Sequence, residues 1–155
     1  MLDYGRLGSN GVHLSDASSG RVSLASDGLT RFSYRLGRDD ARKLVFGVAR
    51  AAEIFFAAGA GEVYSQVRGM PVLRPGEVAA FEAADPAPSA LRLEAFHPMG
   101  TAGMSADPAT GVTGVDGAVH GADGLYVADG SLFPTSIGVN PMMTIIAMAS
   151  KVASA

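Results

Sequence analysis

The sequence predicts an α+β fold, a small antiparallel sheet accompanied by helices. Three observations carry that expectation. Residues 20 to 36 alternate apolar and polar side chains about a Gly-containing turn. Residues 39 to 63 switch to helical periodicity, and residues 140 to 153 form a second apolar helix behind an Asn-Pro start.

In the hairpin segment, "GRVSLAS" and "TRFSYRL" flank Asp27-Gly28. Val22 and Leu24 alternate with polar neighbours in the first run, and Phe32 and Tyr34 do so in the second. Two period-2 runs around a Gly-containing loop predict antiparallel strands. From Asp39 the spacing places Leu44, Val48, Ala51, Ala52 and Phe55 on one stripe of a helix over roughly residues 40 to 58. Asp39 or Asp40 is the expected cap and Gly59 the expected stop. Residues 62 to 67, "EVYSQV", predict a short strand. "PGEVAAFEAA" predicts a short helix, ended by "DPAPSA". "LRLEAF" at 91 to 96 is strand-like and delivers His97, and "GLYVADGS" holds a strand ending at Asp129-Gly130. In "NPMMTIIAMASKVA", Asn140 is the expected N-cap and Pro141 the first-turn residue, where a missing N–H is harmless.

The 155 residues suffice for one domain with a core, and 48% apolar against 17% charged content excludes a disordered segment. A net charge of −3 gives no pull toward nucleic acid or anionic membrane. The absence of Cys excludes disulfides and thiolate metal sites. The first residues lack a signal-peptide pattern, and no apolar run approaches the roughly 20 residues of a membrane helix. The expectation is a soluble, cytoplasmic chain with no membrane span.

Several residues could carry chemistry. His97 lies between an apolar run and a Pro-x-Gly turn. It reads either as a structural hydrogen-bonding residue or as a proton-transfer group held at the end of a rigid element. His13 and His120 sit in Gly- and polar-rich segments without the close spacing of metal ligands, so no metal is expected. Asn140-Pro141 reads as a helix start, or as an anion-attracting helix N-terminus. Asp129-Gly130 reads as a turn, or as a carboxylate that holds ligand hydroxyls beside a glycine that admits a ligand closely. No G-x-G-x-x-G follows a strand: "GAGEVY" follows a helix and has Tyr64 in place of the last glycine. P-loop, G-x-S-x-G and CxxC patterns are also absent, so any nucleotide cofactor would be held mostly by residues outside this chain.

Read together, "FHPMGTAGM", "GLYVADGSLFP" and "VNPMMTI" resemble, in order and separation, the C-terminal segment of the glucose–methanol–choline (GMC) oxidoreductases. The resemblance is strong over residues 95 to 153 and covers most of the chain less distinctively. It implies part of a GMC-type substrate domain, an antiparallel sheet with helices, over residues 1 to 96. Residues 97 to 155 would then be a catalytic, flavin-contacting segment that returns to an FAD-binding domain. That family oxidises alcohols with FAD.

By resemblance, His97 matches the histidine beside the flavin that takes the alcohol proton, and Asn140 matches its active-site partner. Asp129 and Gly130 match the turn lying against the flavin's ribityl and diphosphate region. Pro141 and Met142 match the start of the helix facing the pyrimidine edge of the ring. "GVNPMMTI" is reminiscent of members acting on bulky apolar alcohols. Gly103, Ser105 and Gly114-Val115 depart from residues common in the family. The expected partners are an alcohol substrate and an FAD-binding domain or chain absent from this sequence. The chain would be a fragment, a truncated product or half of a split enzyme, prone to self-association where the other half should dock. The alternative is a non-catalytic remnant or interaction module that binds no flavin.

Overall fold

A computed structural model describes residues 4–154, with the side chain of Tyr4 excepted. The chain divides into two compact units. The first comprises Met1–Ser19 and Arg35–Leu93, and the second comprises Gly20–Tyr34 and Glu94–Ala155.

The first unit is built on helix α1, Arg38–Ala57. Its core joins Val45, Ala49 and Ala52 of α1 to Val67, Leu73, Val78 and Phe81. The buried line is therefore rotated from the expected stripe, of which only Ala52 is fully buried. The reason is size. Alanines at 41, 49 and 52 let the rest of the unit approach the helix axis, while Phe46 and Ile54 remain exposed. Gly47 serves the same purpose on another side, because any Cβ there would collide with Val12.

The N-terminus of α1 departs from expectation. The N-cap position is Gly37, with Asp39 and Asp40 in the first turn. Asp40 is buried at 3% exposure, and its Oδ2 accepts hydrogen bonds from the amides of Ala17 and Ser18 and from the Ser18 hydroxyl. Ser18 Oγ in turn accepts from the Gly37 amide at 2.8 Å. The carboxylate thus fastens the preceding segment rather than capping the helix. At the other end Gly59, at φ 94°, ends α1 as expected.

Strand β3 (Val63–Tyr64), third in chain order after the two strands of the second unit, pairs antiparallel with β4 (Val72–Leu73). The expected strand over 62 to 67 is cut short where Gln66 adopts φ 58°, after which Val67 bridges to Leu91. Helix α2, Val78–Ala83, buries Val78 and Phe81. Arg50 on α1 meets Glu82 on α2 at 2.6 Å.

The second unit contains the expected hairpin. Strand β1 (Gly20–Leu24) pairs antiparallel with β2 (Thr30–Tyr34), Val22 opposite Phe32. Asp27 accepts the Leu29 amide and Gly28 takes φ 78°, so the turn residues act as their types predict. The alternation marks a face that is not buried: Val22, Leu24, Phe32 and Tyr34 are all exposed.

Beyond residue 94 the unit consists of short bridged segments. Neither expected strand forms. Leu91 makes only its bridge to Val67, and Tyr126 only one to Ala118. Glycines with left-handed backbone at 100, 117, 121 and 124 turn the chain too often for longer ladders. Leu132, Thr113 and Pro141 are nevertheless fully buried.

Helix α3, Met142–Ala153, ends the unit. Its C-terminal Val152 closes on Gly117, where a Cβ would lie 2.7 Å from Val152 Cγ2. Among the described residues no helix is long and apolar enough to cross a membrane.

Candidate active site

His97 sits in an exposed bend beside Phe96, which is 70% exposed. The chain that follows is tightly held. Gly100, at φ 84°, turns it against the carbonyls of Phe133 and Pro134, and a Cβ there would meet Pro134 O at 3.4 Å. The amides of Ala102 and Met104 then donate to the carbonyls of Ser131 and Leu132, at 3.1 and 2.8 Å. The bend at His97 is therefore anchored through its C-terminal side onto the segment after Asp129-Gly130.

Asp129 is the N-cap of the 3₁₀ turn Gly130–Leu132. Its Oδ1 accepts the Ser131 amide at 2.8 Å and the Ser131 hydroxyl at 2.5 Å. The hydroxyl bond first and the amide bond second hold the carboxyl below the usual carboxylate range, against a smaller opposing effect of burial. The turn reading of Asp129-Gly130 is met directly. Gly130 has a further property: a Cβ on it would stand 3.2 Å from Ile145 Cδ1 and 3.6 Å from the Pro98 carbonyl oxygen. The absent side chain lets the residue after His97, the Asp-Gly turn and the first turn of α3 converge.

The start of α3 corrects an expectation. The N-cap position is Pro141, with backbone near the helical region and no side-chain capping bond. The first intrahelical bond runs from the Ile145 amide to the Pro141 carbonyl at 2.8 Å. Pro141 is buried, and its fixed ring in a packed site sets the helix start one residue later than Asn140. Asn140 and Met142 are both exposed. The first-turn amides of α3 have no intrahelical acceptors, which leaves the positive end of the helix dipole beside them.

His120 has a defined structural partner, its Nε2 lying 3.0 Å from the Ser105 carbonyl oxygen. His13 belongs to the first unit and His97 and His120 to the second. Among the described residues no group of three or more His, Asp or Glu side chains could hold a metal ion. Sequence reasoning passed over Ser131, Ile145 and Thr113. The "DGS" run was the available sign for Ser131, since a hydroxyl two residues after Asp commonly returns to its carboxylate.

This α+β chain thus presents, in one unit, the ordered elements on which its motifs fall. A family profile described as GMC oxidoreductase matches residues 16–149. The chain belongs to the GMC oxidoreductase family, as its C-terminal portion.

An uncharacterised GMC-type oxidoreductase of Mycobacterium tuberculosis is 34% identical over 145 residues, 92% of this chain and 23% of that protein. A long-chain-alcohol oxidase of Arabidopsis thaliana is 30% identical over 158 residues, 96% of this chain and 21% of its own length. A 6'''-hydroxyparomomycin C oxidase of Streptomyces lividus is 42% identical over 59 residues, covering 38% of this chain and 11% of that protein. The chain spans less than a quarter of the length of these relatives.

Proposed function

We propose that this chain is the catalytic C-terminal part of an FAD-dependent oxidoreductase that oxidises an alcohol. The observation that supports this reading best is the convergence at Gly130. There the carbonyl next to His97, the Asp129-Gly130 turn and Ile145 of α3 approach more closely than any side chain at 130 would comfortably allow.

In this reading His97 accepts the hydroxyl proton at an imidazole nitrogen. Asn140 donates a hydrogen bond to the substrate oxygen without competing for that proton. Asp129, Gly130 and Met142 would hold the cofactor, with buried Pro141 fixing the helix start behind them. The close-packed Gly130 backbone and the exposed first turn of α3 fit a group carrying hydroxyls and developing negative charge. FAD, when bound, supplies the hydride acceptor. The proton thus passes to His97 and the hydride leaves the same carbinol, giving a carbonyl product.

For the substrate we favour an apolar alcohol. Phe96, Val139, Met142 and Met143, all strongly exposed, flank the two proposed catalytic residues in sequence, and relatives named long-chain-alcohol oxidases match nearly the whole chain. The FAD-binding portion would come from sequence or a chain outside these 155 residues. Family membership favours this reading over a non-catalytic remnant.

Substituting His97→Ala in the flavoenzyme that contains this chain tests the reading. Turnover should fall by about 10²–10⁴, the usual worth of general acid–base catalysis, and a loss under about tenfold would exclude His97 as the base.

A further inference from the structure

The segment after His97 has hydrogen-bonded neighbours on both sides. On one side, Ala102 and Met104 donate to the carbonyls of Ser131 and Leu132. On the other, Val112 N donates to Gly103 O at 2.9 Å and Ser105 N to Thr113 O at 2.8 Å, with Met104 and Thr113 paired in parallel. That backbone pairing does not serve the carbonyls of Ala102 and Ser105. Each is taken by a side chain instead. Thr113 Oγ1 donates to Ala102 O at 3.2 Å, and His120 Nε2 lies 3.0 Å from Ser105 O.

Both side chains are themselves fixed. Thr113 is fully buried and bridges Val119 on its far side. His120 donates its backbone amide to Val112 O at 3.0 Å, and Val119 donates to Leu125 O at 2.9 Å. Ala102 and Ser105 are half-buried, and carbonyls partly shielded from water gain from donors, which a hydroxyl and an imidazole N–H supply here.

We propose that Thr113 and His120 are positioning residues that clamp segment 102–105 at its two ends and thereby fix the bend carrying His97. The inference rests on the assignment of His97 as the proton acceptor. The clamp acts through the bonds already described from the amides of 102 and 104 to the carbonyls of 131 and 132, beside Gly130, where a Cβ would lie 3.6 Å from the Pro98 carbonyl oxygen. With the donors gone, the segment keeps its backbone bonds to 131–132 and to 112–113 but loses the side-chain bonds at its two ends, and the imidazole samples a wider range of positions. A displacement of about 1 Å in a catalytic group is enough to cost roughly a hundredfold in rate.

The test uses the chain without flavin. Amide hydrogen exchange is measured at Ala102, Met104 and Ser105, together with the NMR shifts of the His97 ring, for Thr113→Val, Thr113→Ser, His120→Ala and His120→Gln. The Val and Ala variants should raise exchange at these amides about tenfold, as expected for loss of one hydrogen bond, and move the His97 signals. Ser and Gln, which keep a donor in reach, should restore both. Amides of α1 in the first unit should not change. If Thr113→Val does not fold, the His120 pair decides.

Unchanged exchange in the folded Val and Ala variants overturns the clamp. Faster exchange with unmoved His97 signals overturns its link to the catalytic bend. Neither result depends on turnover, so failure of the clamp is distinguishable from failure of the His97 assignment, which the activity of His97→Ala reports.

Discussion

The Ser18 hydroxyl donates to the Asp40 carboxylate at 2.7 Å, while the same Ser18 oxygen accepts from the Gly37 amide at 2.8 Å. One short side chain thereby joins the segment before the hairpin to the helix after it. The Ser18 bond first, then that of Lys43, holds the Asp40 carboxyl below its ordinary range. The sign follows from linkage. A carboxyl with a lowered folded-state value contributes stability above the unfolded value of about 4, and that contribution is lost as pH falls through the folded value. Thermal midpoints measured from about pH 5 down to pH 2 should therefore drop for the native chain. Asp40→Asn should start lower at pH 7, by about 5 °C, and fall less steeply with acid.

Gly117 holds a left-handed backbone at φ 84°, and a Cβ there would lie 2.7 Å from both Val127 O and Val152 Cγ2. Gly121 has φ 75° with open space around it. Urea unfolding should separate the two effects. Gly121→Ala should cost about 1 kcal/mol for backbone strain alone, and Gly117→Ala about 3 kcal/mol because collision adds to strain. Equal costs would mean that α3 does not close on this glycine.

Gly130→Ala should cost about 1 kcal/mol, since the new methyl presses on Ile145. Shortening the neighbour should relieve that pressure. In an Ile145→Val background the added cost of Gly130→Ala should be smaller by about 0.5 kcal/mol, and a double-mutant cycle in urea measures the difference. Additivity within error would place the two residues out of contact.

The hairpin face makes a different prediction. Leu24 and Phe32 are 77% and 78% exposed, so replacing both by Ser should change unfolding free energy by no more than about 0.5 kcal/mol each. The same changes should lower self-association in gel filtration and binding of a hydrophobic dye. A large loss of stability would show that these side chains are buried in solution.

Local chemistry made the hairpin, α1 and α3 legible in the sequence. Asp27-Gly28 dictates a turn, and long periodic runs dictate helices over any plausible packing. The buried stripe of α1 was misread because periodicity favours large apolar side chains, whereas close packing selected the alanines at 49 and 52. The expected strands at 91 to 96 and 125 to 129 failed for another reason. Strand formation depends on a partner, and the segments opposite them bend at glycines after a single bridge.

Within the candidate site, the Asp129 turn and the α3 start were legible to within one residue. Thr113 and His120 were not, because a side chain that serves a distant carbonyl leaves no periodic trace. The sequence order of the site motifs was itself the strongest guide to the family, which the match over residues 16–149 then showed.

The bond between Ser18 and Gly37 also bears on modularity. The chain leaves the first unit at Ser19 and re-enters it at Arg35, and the residues flanking that excursion are already tied together. The strands of residues 20 to 34 are thus an insertion with a short closed neck. Replacing them by a two- or three-residue linker would leave the helical unit's own connectivity intact, with little change in loop-closure entropy. The first unit thus closes its own chain path at the neck, while residues 20 to 34 belong to the second unit.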